Sequence, residues 1–132
     1  MKKFIVLLML FIPCLVSAQV IKFRTIRFSY HYYDNRTMSW HDWADWQNSN
    51  MILTINLDND VVTIYSPVTQ RYQITESQDT YYDSDGDLNI VFKFIDQDND
   101  IGLFRILQRT SGVSEVYIQF NDVEWCYRVL RI

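Results

Sequence analysis

Cysteine is scarce in this 132-residue chain, which holds two, Cys14 and Cys126. The first lies in a segment that reads as an address rather than a fold. Lys2 and Lys3 form a positive start, residues 4–12 an unbroken apolar run, and Val16-Ser17-Ala18 a small-residue cleavage site. Pro13 stands where lipoprotein processing wants a small residue, which argues against a lipid anchor on Cys14. Cleavage after Ala18 leaves Gln19 as the first residue and Cys126 as the lone thiol, so no disulfide can staple the domain internally. That thiol is either a buried, inert small hydrophobe or a bridge between molecules, so a monomer is expected, with a Cys126-linked dimer as the alternative.

Other shortages narrow the field. The nine-residue apolar run is too short for a membrane helix, which needs about 20 residues. Three glycines, no repeat and no low-complexity stretch leave no linker, so residues 19–132 read as one domain. Positive charge is short too. Without Lys2 and Lys3, ten basic residues face sixteen acidic ones, a net charge of −6 with no Lys/Arg cluster. Such a surface repels phosphate backbones and anionic lipid, so nucleic acid is not an expected partner. No stretch keeps helical periodicity over three turns.

What the chain does have is alternation. "MILTINL" sets Met51, Leu53, Ile55 and Leu57 against Ile52, Thr54 and Asn56. "LNIVFKFI" sets Leu88, Ile90, Phe92 and Phe94 on one face. "EVYIQF" does the same with Val116, Ile118 and Phe120, and "VEWCYRV" with Val123, Trp125, Tyr127 and Val129. Period two with one apolar face marks antiparallel strands over a core. Short polar turns at 58–60, 66–70, 83–87, 96–100, 110–112 and 121–122 join them as consecutive hairpins. In the first strand the apolar set slips by one after Phe23, which predicts a bulge near Arg24-Thr25.

The fold class is therefore all-β, an antiparallel meander of about eight strands. An up-and-down barrel of lipocalin-like kind is preferred over a two-sheet sandwich, because closure removes edges. A membrane barrel is disfavoured by outward Asn56, Asn89, Lys93, Gln119 and Arg128. If strand direction alternates from 51 onward, the Trp-rich segment upstream shares an end with turns 66–70, 96–100 and 121–122. A turn within "TESQD" (75–79) would reverse the later strands.

The runs "DNDVVTIYSPVTQRYQI" and "EVYIQFNDVEWCYRV", with "WADWQ" upstream, resemble short exported proteins of Gram-negative bacteria that have no assigned function. The likeness covers about two thirds of the mature chain. It implies export, to the periplasm or beyond, and an all-β fold; it implies no activity.

Catalytic chemistry is thinly supplied. His31 and His41 sit in no nucleophile or metal motif, and each has a nearby carboxylate, Asp34 and Asp42, as half of an acid–base pair. No enzyme activity and no cofactor are expected, with a hydrolase as the least favoured reading. "DSDGD" (Asp83, Asp85, Asp87) and "DQDND" (Asp96, Asp98, Asp100) alternate carboxylates in a way that suits Ca²⁺. Neither fits an EF-hand loop, since the sixth and twelfth places hold Ile101 and Leu107, or Leu88 and Phe94. Asp and Asn are also the ordinary residues of tight turns. Asp96, Asp98 and Asp100 are thus weak metal candidates.

Aromatic residues make up 16% of the chain. "WHDWADWQ" spaces Trp40, Trp43 and Trp46 by three, which suits a helical turn or coil capping the sheet, with Trp40 as the ring left exposed. The same rings, with Tyr30 and Tyr32, are the candidate ligand contacts. The leading expectation is an exported, non-catalytic β-domain that binds a hydrophobic or glycan-like molecule through these aromatics. The alternative is a protein-interaction module, an inhibitor or envelope accessory protein, with no small-molecule ligand.

Overall fold

The computed structural model describes residues 20–132; the expected signal peptide at 1–18 lies outside them. Alternating side chains draw the chain into ten strands: β1 (Val20–Asp34), β2 (Ser39–Trp40), β3 (Gln47–Asn48), β4 (Ile52–Asn56), β5 (Val61–Tyr65), β6 (Gln70–Tyr82), β7 (Leu88–Asp96), β8 (Ile101–Gln108), β9 (Ser114–Gln119) and β10 (Val123–Arg131). Eight of them, β1 and β4 to β10, follow one another round in chain order. Antiparallel pairing of β1 with β10, Phe23 opposite Arg131 through Tyr32 opposite Val123, closes the ring. The protein is an up-and-down barrel, not a sandwich. None of the described residues is helical, so none forms a helix long and apolar enough to cross a membrane.

The interior is a single apolar core to which all eight barrel strands contribute, among them Phe23, Leu53, Ile64, Ile74, Phe92, Phe104, Ile118 and Val129. Phe92 and Phe104, opposite each other on β7 and β8, stack at 5.2 Å. Gly102 faces Phe94 in the same pair of strands, and a Cβ there would lie 2.5 Å from the Phe94 ring and from the Gln119 carbonyl oxygen. Glycine is required by that close approach.

Ile26 is the extra residue of β1. Pairing with β10 shifts between Thr25 and Arg27, just beyond the position expected from the sequence. The bulge moves the inward set from Ile21, Phe23 and Thr25 to Phe28, Tyr30 and Tyr32, and turns Ser29, His31 and Tyr33 outward. Thr25, fully buried, pins the start of β4: its N–H donates to the Met51 carbonyl (2.8 Å), and its hydroxyl accepts from the Met51 N–H (2.8 Å).

Segment 75–79 is not a turn. It lies inside β6, whose pairing with β7 slips after Ile74 and again after Ser77. Strand direction therefore alternates as expected. Turns 66–69, 97–100 and 120–122 gather with residues 49–51 at one end, here the mouth; turns 57–60, 83–87 and 109–113 form the base. Three hairpins share one turn, a type I turn closed by a left-handed residue. That residue is Gly86 (φ 81°), Asn99 (φ 66°) or Gly112 (φ 93°), and its N–H donates to the carbonyl of Asp83, Asp96 or Arg109 respectively.

Candidate functional site

β1 outruns β4 at the mouth, and its two faces there carry two separate aromatic clusters. On the inner face Phe28 lies opposite Tyr127 and Tyr30 opposite Trp125 in the register with β10. Tyr30 packs on Trp125 at 5.2 Å and on Tyr32 at 5.4 Å, continuing the core upward as a ladder of rings. Where β4 and β5 stop short, the ladder leaves a pocket of about 440 Å³. Phe28, Met51, Trp125 and Tyr127 form its apolar walls, and Asn48, Ser49, Asn50 and Gln70 supply its hydrogen-bonding groups. Among the described residues, no charged side chain lines it. Burial pushes the Tyr127 hydroxyl up to about 12, so the phenol is a neutral wall.

On the outer face the chain after β2 doubles back along β1 as a flap. His41 and Ala44 donate their backbone N–H to the carbonyls of Tyr32 and Tyr30, each at 2.8 Å, before β3 pairs with Arg27 and Phe28. The Ser29 hydroxyl donates to the Ala44 carbonyl at 2.5 Å. His31 is stacked between Trp40 (4.4 Å) and Trp43 (3.8 Å). Trp43 reaches on to the edge of Tyr117 on β9, and Arg128 of β10 lies over the Trp46 ring at 4.7 Å.

Beside the flap the outer wall hides a carboxylate. Glu115 is 2% exposed, and its oxygens accept from Arg109 Nη2 (2.7 Å) and Arg128 Nη2 (3.3 Å). That hydrogen bond and the adjacent charge hold the Arg109 guanidinium above its ordinary range. Asn89, also buried, joins the set by accepting from Arg105 Nη1 at 2.9 Å, and Arg105 in turn lies over the Tyr117 ring at 4.1 Å. Apart from Arg128 Nε, which is buried without a hydrogen-bond partner, the polar groups of this set are paired within the wall, the mark of a structural network. The sequence reading placed Asn89 and Arg128 outward and did not single out Glu115, Arg105 or Arg109. The signal that could have found them is register: Asn89, Leu107, Glu115 and Arg128 lie opposite one another across four strands.

The expected site residues are therefore divided. Trp40, Trp43 and Trp46 are together on the outer wall; Tyr30 and Tyr32 are on the inner face of the same strand. One expectation is narrowed and one needs correction. Of the helical turn or coil expected between β2 and β3, the segment is coil, held to β1 because that strand offers its carbonyls at strand spacing. The exposed rings are Trp43 (42%) and Trp46 (40%), while Trp40 is partly covered by His31 and Tyr33. The histidines also choose other partners: His31 pairs with Glu124 and His41 with Asp34.

Both acidic turns bring three carboxylates within 4.8 Å of one another. Their leading residues are committed to the turn itself. Asp96 Oδ1 accepts from the N–H of Asp98 and Asp100, each at 2.9 Å, and Asp83 Oδ1 accepts from Asp85 and Asp87. Hydrogen bonds, that from Asn89 first, hold the Asp83 carboxyl below its usual range. Asp96, Asp98 and Asp100 sit at the mouth beside an open polar hollow, and Asp83, Asp85 and Asp87 at the base, so the two sets cannot act as one.

Comparisons with protein-family models, curated proteins and solved structures return no match, so the site is read from its own geometry.

Proposed function

We propose that the protein is an exported, non-catalytic binding protein that takes a small uncharged molecule, with an aromatic or apolar body, at the barrel mouth. The observation that carries this reading is the pocket of about 440 Å³, walled by Phe28, Met51, Trp125 and Tyr127 and rimmed by neutral amides and a hydroxyl. Its size and make-up are those of small-molecule sites, apolar walls with a few polar groups that set orientation. The absence of a charged group from its lining favours a neutral ligand, since an unpaired ion would lose its hydration there without compensation. Export is supported by the signal-like residues 2–18 and by the resemblance to exported proteins; mass spectrometry of the native mature chain tests it through an N-terminus at Gln19.

The binding test uses N-phenyl-1-naphthylamine, a neutral aromatic probe whose emission rises in apolar surroundings. The expected result is saturable enhancement, weakened about tenfold or more when Trp125→Leu removes a wall and abolished when Asn50→Trp fills the entrance. Enhancement indifferent to both substitutions contradicts the pocket as the site.

One observation favours the interaction-module reading. Trp43 and Trp46 are large, exposed and held in place by stacking beneath them, the character of anchor residues at protein contacts. Cross-linking in the native envelope with and without Trp43→Ala separates the two: a partner lost in the variant supports it.

A further inference from the structure

His31 is held in a setting that only one protonation state satisfies. Its ring lies nearly parallel to Trp40 on one side and Trp43 on the other, at 23° and 15°. Its Nδ1 is 3.1 Å from the carbonyl oxygen of His41, and its Nε2 is 2.9 Å from Oε1 of Glu124. A carbonyl oxygen and an ionised carboxylate only accept hydrogen bonds, so both contacts are made when each ring nitrogen carries a proton. The sandwich is then a cation between two indole faces, and the Glu124 bond is charge-assisted. With one proton fewer, a nitrogen lone pair faces an acceptor and the cation–π attraction is gone.

The ring is also a mechanical tie. It belongs to β1, meets β10 through Glu124, and meets the flap through Trp40, Trp43 and the His41 carbonyl. What the flap covers is visible in the burial of the wall beneath. Cys126 points outward from β10, since Trp125 and Tyr127 point in, yet it is 2% exposed; Ser29, beside it on β1, is also 2% exposed. An outward side chain is buried only by what lies across it. Trp43, touching His31 on β1 and Tyr117 on β9, spans the strand that carries Cys126.

We propose that His31 is a pH-operated latch. Carrying both ring protons, it staples residues 40–48 to the outer wall; losing one, it releases the flap and uncovers the strip formed by Ser29, Cys126 and Tyr117. Histidine is the side chain whose ordinary charge change falls between about pH 5 and 8, so the latch holds on the acidic side and loosens as pH rises. The charged groups around it are Glu124 on β10, the His41–Asp34 pair (3.4 Å) at the flap's start, Arg128 of β10 against Trp46, and Arg105 of β8 against Tyr117. Of these Glu124 alone bonds the ring. The flap ends at Asn48, which also lines the mouth pocket, but the test of the latch needs no ligand.

Amide hydrogen exchange of the ¹⁵N-labelled protein reads it directly, as protection factors corrected for intrinsic rates. The expected result is that protection at Ala44 and His41 falls about tenfold between about pH 6 and pH 8, while core amides such as Phe104 hold steady. Imidazole ¹⁵N signals of His31 should show two protonated nitrogens at the lower pH. His31→Phe keeps the stack without the nitrogens, so protection should be low at both pH values, and Cys126 should react faster with N-ethylmaleimide at pH 6. Glu124→Gln should shrink the pH step, and His41→Asn should leave it. Equal protection at both pH values in the native chain, or a full pH step surviving in His31→Phe, overturns the proposal.

Discussion

The two faces of β1 are buried by different means. Ile21 and Phe23 are covered because the barrel closes around them within its apolar core. Ser29 and His31, a few residues on and facing outward, are covered because a separate stretch of chain is tied across them by hydrogen bonds and ring stacking. Burial by volume tolerates any side chain of the right size and shape. Burial by directional contacts depends on protons, donors and acceptors being in place. The inner face should therefore set stability, and the outer face should set how the molecule responds to conditions.

The largest expected effect is on the inner face. Phe23→Ala should cost about 3–5 kcal/mol in denaturant unfolding, through lost burial and a cavity. Trp43→Ala, the outer counterpart, should cost under about 1 kcal/mol, because its ring is half-exposed and serves only the flap. A cost for Trp43 equal to that for Phe23 would erase the distinction. Next comes the buried Glu115 carboxylate of the outer wall: Glu115→Gln should cost about 2 kcal/mol, below the full penalty of a broken buried pair because Arg109 and Arg128 are each about a third exposed and screened by water.

Two pH effects are smaller and opposite in direction. Burial raises the Cys126 thiol from 9.0 to about 12 and the Tyr127 hydroxyl from 10.0 to about 12. The folded state then keeps protons that the unfolded chain releases, so the contribution of these two groups is full below about pH 9 and declines as pH rises toward 12. An alkaline unfolding series checks this, and Cys126→Ala should remove the earliest part of the decline. The Asp83 carboxyl is shifted down, so its contribution is present above the ordinary carboxylate range and lost as pH falls through it. Asp83→Asn should flatten the acid limb slightly, and no flattening would separate that hydrogen bond from stability.

How much of this was legible follows from the range of each interaction. The inward sets of β4, β7, β9 and β10 were readable residue by residue, because alternation is local and one face is wholly apolar. The grouping of turns at mouth and base followed from alternating strand direction. The outer wall was not readable. His31 meets Glu124 across 93 positions of chain, and Glu115 meets Arg128 only once strand register is known. The Trp segment left helical turn and coil open for a local reason: spacing of three resembles a helix, and only the partner strand shows that its N–H groups are taken by β1. Trp40 was expected outermost for its distance from β4, and it is instead covered by its own hairpin partner, Tyr33, and by His31.

The four tryptophans offer the most direct measurement, since Trp125 alone lines the mouth while Trp40, Trp43 and Trp46 lie on the outer wall. Their indole N–H signals can be followed separately by ¹⁵N NMR while N-phenyl-1-naphthylamine is added. Binding at the mouth predicts that the Trp125 signal moves and saturates while the other three stay in place. Movement of Trp43 and Trp46 with a stationary Trp125 would contradict it.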